Sequence, residues 1–387
     1  MREREWVERR IARALAVAIA QPTLAAGPDA PFTQLHTVLR ELFPLLFQAA
    51  KTEIIDGRAL LLSLPGAGGA RPLLFLSHLD VAPVRECEKW VVPPFSGEIR
   101  DGFVYGRGAA DMKGHLIALL TAMEGLLAEE TLPRGDIYFA FSCDEETRGG
   151  SMQKMCRLLD ARGVRPAFVL DEGGSVTALP TLCERPAALV GVAEKGRMCF
   201  TLTSDGDRAI EALLHASQRL LRMRFVPAVC PVTSRMLEAL SAEMAGYSRF
   251  CAAHPRMMRT QLLRKLDRTV YGRALSRTQL HISSLKGDAL RGKKAAITFQ
   301  ASILPGEKTE ALLERIKDVI SDERILVTVD VMDEPSLVSP VSGAAWEALV
   351  TAVQVHFPET PVAPYLLTGA SDARRMEPIC PYIYRFS

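Results

Sequence analysis

The cysteines of this chain form no pattern that would indicate disulfide bonds or a structural zinc site. Eight cysteines are scattered along 387 residues, and no two of them stand in a CxxC pair. Secreted domains that depend on disulfides carry dense cysteine frameworks. The arrangement therefore predicts a reducing, cytoplasmic environment, in which the cysteines serve as small apolar residues.

Charge of one sign and long apolar runs are also missing. A formal net charge of +2 gives no electrostatic basis for binding nucleic acid or an anionic membrane. No run of 18 or more apolar residues is present, so no membrane span is expected. The N-terminal segment has three glutamates among its first eight residues and Arg13 inside its apolar part, which favours an amphipathic helix over a secretory signal.

The sequence has no motif for a serine or cysteine nucleophile. There is no G-x-S-x-G element, and no cysteine opens a helix-like segment, which argues against covalent catalysis by these residues. The apolar fraction of 48% and the charged fraction of 24% are those of an ordinary globular protein. The length of 387 residues favours two domains.

Between residues 73 and 186, apolar runs of strand length alternate with segments of helical period. This alternation predicts an α/β fold with a mainly parallel sheet sandwiched by helices. Strand pairs followed by helices take over near Ala188, and the α/β pattern returns at Pro335. We therefore predict a catalytic domain of residues 1–188 and 335–387, interrupted by an inserted α+β lid domain of residues 189–334. Residues 233–268 are expected to form one long or two shorter helices.

Acidic and imidazole side chains recur at the ends of the apolar runs. Four groups share this placement: His78 with Asp80, Asp111 in a glycine-rich loop, Asp144 to Glu146, and Asp171 with Glu172. The carboxyl ends of parallel strands meet at one edge of a sheet, where open α/β sheets bind ligands. Carboxylate oxygens with an imidazole suit a pair of Zn, Mn or Co ions. The pattern predicts metal-assisted hydrolysis of an amide bond.

Each group taken singly also has a structural interpretation. His78 could be a hydrogen-bonded histidine, Asp111 could cap the following helix, and the acidic triplet could be a solvated turn. Their recurrence at several strand ends favours the metal site. There, adjacent Glu145 and Glu146 would point in different directions, so that one holds metal and the other faces a water as general base. Asp80, on the same strand face as His78, fits a carboxylate that orients the imidazole.

These segments resemble the co-catalytic zinc aminoacylase and carboxypeptidase family, and they look most like its carboxypeptidase S branch. The resemblance runs from about Leu73 to Phe386 and is carried by SHLDVAPV, WVVPPFSGEIRDGFVYGRGAADMKG, FAFSCDEETRGGS, VLDEGG, VAEKG, ILPG, TGASDAR and YRF. It implies an α/β zinc domain with a smaller inserted lid, through which family members pair as homodimers. It also implies two zinc ions per chain, with Co or Mn as possible replacements, and a small-molecule substrate, either a peptide or an N-acyl amino acid.

The resemblance implies a role for individual residues of this chain. Metal one would be held by His78 and Asp171, metal two by Glu146, and both by the bridging Asp111, while Asp80 orients His78 and Glu145 is the general base. The same resemblance places Asp372 and Arg374 in a loop near the substrate. Arg374 is a candidate for binding a substrate carboxylate, and a structural ion pair is the equally open alternative.

Three parts of the family pattern differ in this sequence. A further histidine ligand of metal two is expected beyond YRF, whereas this sequence stops at Ser387. The lid segment of Gly-His-Ser-Ser type is replaced by TLTSDGDRAIEALL, the Asn-Val-Ile-Pro stretch by KGDALRG, and the arginine before LPG by Ser302. We therefore expect an incomplete second metal site and weaker stabilisation of the oxyanion. The alternative function is a catalytically impaired relative that binds one metal and an amino-acid-like ligand or a partner.

Overall fold

The computed structural model describes residues 2–147, 149–179, 182–183, 185–206, 208–287 and 294–387. The chain forms two compact units, which we call unit 1 (Met1–Glu172 with Ser371–Ser387) and unit 2 (Gly173–Ala370). The predicted domain boundaries at residues 188 and 335 stay a prediction, as does pairing through the inserted domain. Most of the KGDALRG stretch lies outside the described residues.

Unit 1 contains five helices and eight strands in its described part. The helices are α1 (Arg2–Ile19), α2 (Ala30–Leu42), α3 (Pro44–Ala49), α4 (Gly114–Ala128) and α5 (Ser151–Ala161). The strands are β1 (Lys51–Ile55), β2 (Ala59–Leu64), β3 (Leu73–His78), β4 (Glu98–Arg100), β5 (Phe103–Tyr105), β6 (Ile137–Ser142), β7 (Val169–Asp171) and, near the C-terminus, β15 (Ile383–Arg385).

The sheet of unit 1 places parallel strands side by side at its centre. Its strand order is β1-β2-β6-β3-β7-β15. Strand β3 runs parallel to both β6 and β7, and β7 runs parallel to β15. Only the pairs β1–β2 and β2–β6 within this order are antiparallel. The carboxyl ends of β6, β3 and β7 therefore meet at one edge, as the sequence predicts.

The core of unit 1 explains why its strands are nearly continuous apolar runs. Leu74 and Leu76 of β3 and Phe139 and Phe141 of β6 are buried, together with apolar side chains of α2, α4 and α5. A parallel sheet with helices on its faces has no solvent-facing side, so the alternation typical of half-exposed strands disappears. Each such side chain contributes about 1.5–3 kcal/mol on burial, which fixes the strand ends that carry the polar residues.

The remaining strands and helices belong to unit 2. The strands are β8 (Ser175–Thr177), β9 (Ala187–Glu194), β10 (Gly196–Asp205), β11 (Gln279–Gly287), β12 (Lys294–Ile303), β13 (Leu326–Asp333) and β14 (Val362–Leu367). The helices are α6 (Ala209–Leu221), α7 (Pro231–Leu240), α8 (Gly246–Ala253), α9 (Arg259–Leu266), α10 (Val270–Ser276), α11 (Thr309–Ile320) and α12 (Ala344–His356).

Two strand systems organise unit 2. Strands β11-β12-β10-β13 form an antiparallel sheet in that order, and its apolar face packs against α6 and α11. Strand β9 pairs in parallel with β14 and in antiparallel fashion with β8. Residues 233–268 lie in three short helices, α7, α8 and α9, where the sequence predicts one long or two shorter ones. Gly246, with φ +52°, begins α8, and Pro255 lies between α8 and α9, so the helical pattern breaks at both places.

The predicted fold class, an α/β structure with a mainly parallel sheet flanked by helices, is confirmed. Among the described residues, no helix combines the length and the apolar character that a membrane span requires.

Candidate metal centre

His78 lies at the centre of the polar cluster. It is the last residue of β3, is 1% exposed, and its Nδ1 lies 2.9 Å from the main-chain carbonyl of Asp80. Because a carbonyl only accepts, Nδ1 carries a proton and the Nε2 lone pair is left for a ligand. Nε2 lies 2.9 Å from Asp111 Oδ1 and 3.7 Å from Glu172 Oε1. Burial lowers the pKa of His78, but the hydrogen bonds to Asp111 and Asp80 outweigh it and raise that pKa.

Asp111 reaches this position through the glycine-rich loop before α4. Gly108 has φ +87°, a left-handed conformation that glycine adopts without strain. A side chain at this position would come too close to Val81. The Asp111 carboxylate is 67% exposed on the side away from the imidazole. Its hydrogen bond with His78 holds the pKa of Asp111 below the ordinary value. The loop thus presents a solvent-accessible anionic oxygen beside the His78 nitrogen.

Lys113 anchors the same loop to the end of α1. Its side chain is fully buried, and Nζ donates to the main-chain carbonyls of Ala18 (2.9 Å) and Gln21 (2.6 Å) at the end of α1. Burial lowers the pKa of Lys113 to about 7. Each carbonyl also accepts a main-chain hydrogen bond, Ala18 from the amide of Gln21 (3.2 Å) and Gln21 from the amide of Thr23 (2.9 Å). The ammonium adds a second, cationic donor at the end of α1, where a positive charge is favourable. No role for Lys113 was predicted from the sequence. The only sequence signal for this residue is a lysine in a segment that is otherwise expected in the core.

Asp80 fixes the main chain that carries the two adjacent glutamates. Its fully buried carboxylate accepts from the amide of Glu145 (3.2 Å, Oδ1) and from the amide of Glu146 (3.0 Å, Oδ2). Its contact with the imidazole is looser, since Oδ1 lies 3.5 Å from His78 Nδ1. The main-chain carbonyl of Asp80 is thus the nearer partner of His78, while its carboxylate positions Glu145 and Glu146.

Asp144, the first residue of the acidic triplet, has a structural task. Its carboxylate accepts from the main-chain amide and the hydroxyl of Ser151, the first residue of α5. An acidic group at this end of a helix satisfies amides that lack partners and interacts favourably with the helix dipole. A side chain at Gly149 would overlap the Asp144 carboxylate, so glycine is required there.

The three glutamate carboxyls of the cluster, unlike that of Asp111, have raised pKa values. Burial, followed by the charge of Asp372, raises the pKa of Glu145 to about 8. Burial, followed by the charge of Asp171, raises the pKa of Glu172 to about 9. Burial and then the charge of Asp111 raise the pKa of Glu146. A cation placed among these groups would oppose both effects.

Asp171 and Glu172, at the end of β7, point to different partners. Asp171 Oδ2 accepts a hydrogen bond of 2.9 Å from the amide of Ala373. The Glu172 carboxylate lies beside His78. Asp171 was predicted as the metal ligand, whereas the structure brings Glu172 into the group with His78 and Asp111. A turn at the strand end decides which of two adjacent carboxylates faces the cluster, and the sequence alone does not specify that turn.

Asp372 and Arg374 lie in the short helical turn that precedes β15. Asp372 Oδ2 is buried without a hydrogen-bond partner among the described residues, and burial raises the pKa of Asp372 to about 7. The charges of Asp372 and Glu145 affect one another, so Asp372 belongs to the cluster. Arg374 lines a separate cavity of about 270 Å³ with residues of α5, including Gln153 and Arg157.

The donor atoms fit a divalent cation. Among the described residues, His78, Asp111 and Glu172 each offer one ligand atom, and these atoms all lie within 4.8 Å of one another. An imidazole with two carboxylates is a donor set of the kind that Zn and Mn accept. Glu146 lies outside this group of three but interacts electrostatically with Asp111. The arrangement is therefore a candidate metal centre, with the carboxyl of Glu145 beside it.

Comparison with known proteins identifies relatives over nearly the whole chain. The human N-fatty-acyl-amino acid synthase/hydrolase PM20D1 is 30% identical over 98% of this chain and 81% of its own length. A probable carboxypeptidase S-like 2 of Dictyostelium discoideum is 27% identical over 97% of this chain and 77% of its own. The M20 family metallo-carboxypeptidase Sso-CP2 from Sulfolobus solfataricus shares the fold, with a TM-score of 0.71 and 16% identity over 97% of this chain and 90% of its own.

A family model agrees with these relatives. The model for peptidase family M20/M25/M40 matches residues 74–386. The match confirms the resemblance found in the sequence, and with it the prediction of a metal-dependent hydrolase that cleaves amide bonds. The chain therefore belongs to peptidase family M20/M25/M40.

Proposed function

We propose that this protein is a zinc-dependent hydrolase of N-acyl amino acids, with Glu145 as its general base. The observation that carries the proposal is the convergence of donor atoms from His78, Asp111 and Glu172, with Glu145 on the neighbouring strand end. The substrate class is supported by the relative whose name describes an N-fatty-acyl-amino acid synthase/hydrolase, which matches almost all of this chain.

In this proposal His78, Asp111 and Glu172 would hold zinc, and Glu146 would contribute to a second ion. Glu172 takes this role in the proposal because it offers an oxygen within the three-donor group, while the role predicted for Asp171 stays a prediction. When bound, zinc polarises the scissile carbonyl and makes a water acidic enough to attack near neutral pH.

The protein's own residues handle the proton. The Glu145 carboxylate accepts a proton from the attacking water and passes it to the nitrogen of the leaving amino acid. Asp80 keeps this carboxylate in place, because it binds the main-chain amides of both Glu145 and Glu146. Asp372 lies close enough to raise the proton affinity of Glu145, which favours uptake of the proton in the first step. The role of Arg374 toward a substrate carboxylate stays a prediction.

A one-metal protein is the second candidate. It is favoured by the compactness of the three-donor group and by the position of Glu146 outside it. Such a protein would bind an amino-acid-like ligand with little or no turnover. Metal analysis of the purified protein distinguishes the candidates, since close to two zinc ions per chain supports the hydrolase and one supports the binding protein.

The decisive experiment compares Glu145→Gln with Glu129→Gln. Glu129 is exposed at the end of α4, so its variant controls for the loss of a charge. Zinc-loaded proteins are assayed on N-acyl amino acids of increasing chain length and on dipeptides. We expect Glu145→Gln to retain its zinc and to lose about 100 to 10,000-fold in kcat, as is typical when a general base is removed. Full activity in Glu145→Gln would contradict the mechanism, and cleavage of dipeptides alone would contradict the substrate class.

A further inference from the structure

The short helices of unit 2 enclose a cavity that is separate in composition from the metal centre. Its volume is about 290 Å³, at the lower end of the range found for small-molecule sites. The cavity is lined by Leu182, Leu237, Met244, Tyr247, Ser248, Cys251, Gln261, Leu262, Arg264, Lys265 and Arg268. All of these residues belong to unit 2. None has a place in the proposed reaction.

The cavity exists because the chain changes direction where a continuous helix would have closed it. Helices α8 and α9 have eight residues each, so neither is long enough to cover the other along its length. Leu237, Met244 and Leu262 are almost fully buried and form apolar walls. Tyr247 is 64% exposed at the same cavity. A large exposed aromatic residue beside buried leucines marks an apolar surface that is open at one end.

Three cationic side chains from one helical turn and a half meet these apolar walls. Arg264, Lys265 and Arg268 line the cavity, and Lys265 Nζ donates to Ser248 Oγ at 3.2 Å, which brings the ammonium to the α8 side. Among the residues that the structure describes, no acidic side chain is part of the lining. Like charges so close together repel one another, and an anion placed between them would remove that repulsion.

The acidic residues nearby are engaged elsewhere. Glu243 accepts from Nε (3.0 Å) and Nη2 (2.7 Å) of Arg185. Asp267 forms an ion pair with Arg277 and does not line the cavity. In the part of the chain that the structure describes, no carboxylate forms an ion pair with Arg264, Lys265 or Arg268. Within the described residues of unit 2, the cations at the cavity therefore have no acidic ion-pair partner.

We propose that this cavity binds a medium-chain monocarboxylate, such as decanoate. Its hydrocarbon chain would lie along Leu237, Met244 and Leu262, because each buried methylene contributes about 0.8 kcal/mol in an apolar site. Its carboxylate would lie at Lys265 and Arg268. Leu182, Leu237, Met244 and Leu262 offer no hydrogen-bonding group, so this part of the lining suits a hydrocarbon chain better than the phosphates of a nucleotide. This site takes its ligand through unit 2 alone and does not depend on metal or on hydrolysis.

The test measures binding of decanoate to the full chain by calorimetry, with the metal removed so that the zinc centre cannot capture the carboxylate. Decanol lacks the charge, decyltrimethylammonium reverses it, and acetate lacks the chain. We expect saturable binding of decanoate with one site per chain, at least about tenfold weaker binding of decanol, as is typical when a charged hydrogen bond is lost, and no binding of the other two. Equal affinity for decanol and decanoate, or no binding of decanoate, would overturn the proposal.

Variants locate the bound ligand. Lys265→Met combined with Arg268→Met should weaken decanoate binding at least about tenfold. Arg235→Met, an exposed arginine of α7 outside the lining, is the matched control and should bind like the original protein. Cys251→Phe should fill the cavity and abolish binding, while thermal unfolding of the same sample reports whether the helices remain folded. Unchanged affinity in folded Cys251→Phe would mean that decanoate binds elsewhere, which contradicts the assignment.

Discussion

The metal centre of unit 1 and the helical cavity of unit 2 are opposite in charge and in construction. The centre gathers Glu172, from the end of a parallel strand, and Asp111, from the loop before α4, around His78. The cavity gathers Arg264 and Lys265 beside leucines on short helices. The first excess of charge suits a divalent cation, and the second suits an organic anion.

The difference in construction determines how well each site is defined. Strand ends are held by main-chain hydrogen bonds to both neighbouring strands, and Asp80 adds hydrogen bonds to the next segment of chain. Donor atoms can therefore be placed to within a fraction of an ångström, as metal coordination demands. Of the long cationic side chains of the cavity, Arg264 and Arg268 are exposed and Lys265 is half-buried, so they suit a ligand whose fit is governed by apolar burial and charge.

The largest expected effect is the loss of metal from Glu172→Gln. A direct ligand should cost more than the 10 to 100-fold in affinity typical of groups behind the ligands, so we expect a loss of at least about 100-fold in zinc affinity. Asp171→Asn, which alters the carboxylate that accepts from the amide of Ala373, should lose about tenfold. Competition with a chromophoric chelator measures both. A greater loss of zinc affinity in Asp171→Asn than in Glu172→Gln would show that Asp171 is the ligand. Decanoate binding should be unchanged in either variant.

A second prediction concerns pH. In the metal-free protein the pKa values of Glu172 and Glu145 are raised to about 9 and about 8, so both carboxyls carry protons at pH 7. Zinc must displace those protons, and affinity should fall by about tenfold per pH unit for each proton displaced as pH drops from 9 to 7. Calorimetry in buffers of different ionisation enthalpy counts the released protons. A metal affinity independent of pH would contradict the assignment.

A third, smaller effect is expected for Lys113→Met. The variant leaves the carbonyls of Ala18 and Gln21 without their buried donor, at a cost of about 1–3 kcal/mol in the free energy of unfolding. Urea denaturation measures this cost, and zinc affinity should fall with it because Lys113 holds the Asp111 loop. Lys154→Met, which removes an exposed ion pair with Asp56, is the control and should change stability little. Equal stability of the two variants would show that Lys113 does not anchor the loop.

The smallest expected effect separates protonation of the metal centre from protonation of the core. Burial lowers the pKa of His36, whose Nε2 lies 2.8 Å from the carbonyl of Arg58. The unfolded chain therefore binds this proton more tightly than the folded one, and stability should decline as pH falls through 6.5. His36→Gln should remove that part of the pH dependence from denaturation curves of metal-free protein. An unchanged curve would show that the decline comes from other groups.

The sequence predicts the parts of this molecule that depend on regular strands. The recurrence of His78, Asp111 and Glu145 after apolar runs is enough to predict a metal site at the carboxyl edge of a parallel sheet, because strand direction alone brings such residues together. It is not enough to choose between Asp171 and Glu172, since that choice depends on the turn that follows β7. The contact of Lys113 with the end of α1 spans more than ninety residues and leaves no local pattern.

The helical part of unit 2 was less accessible to prediction for a related reason. The spacing of Met236, Leu237 and Leu240 correctly indicates a buried helix face. It does not show where the chain breaks, and it therefore does not show the gap between α8 and α9. A cavity forms where helices do not pack closely against one another, so its lining residues come from several elements. Here they are scattered over nearly ninety positions in the sequence.

The hydrogen bonds from Lys113 to the end of α1 limit where this chain can be cleaved or given new termini. Tolerated nicks, insertions and new termini normally fall in exposed chain whose main-chain groups have no buried partners. The segment from Ala18 to Gln21 follows the first helix and would be a natural place for a protease site or a shortened start. Its carbonyls are bound to Lys113, so removal of the first helix would release the loop of Asp111 as well, and the N-terminal twenty residues are part of the catalytic machinery's scaffold.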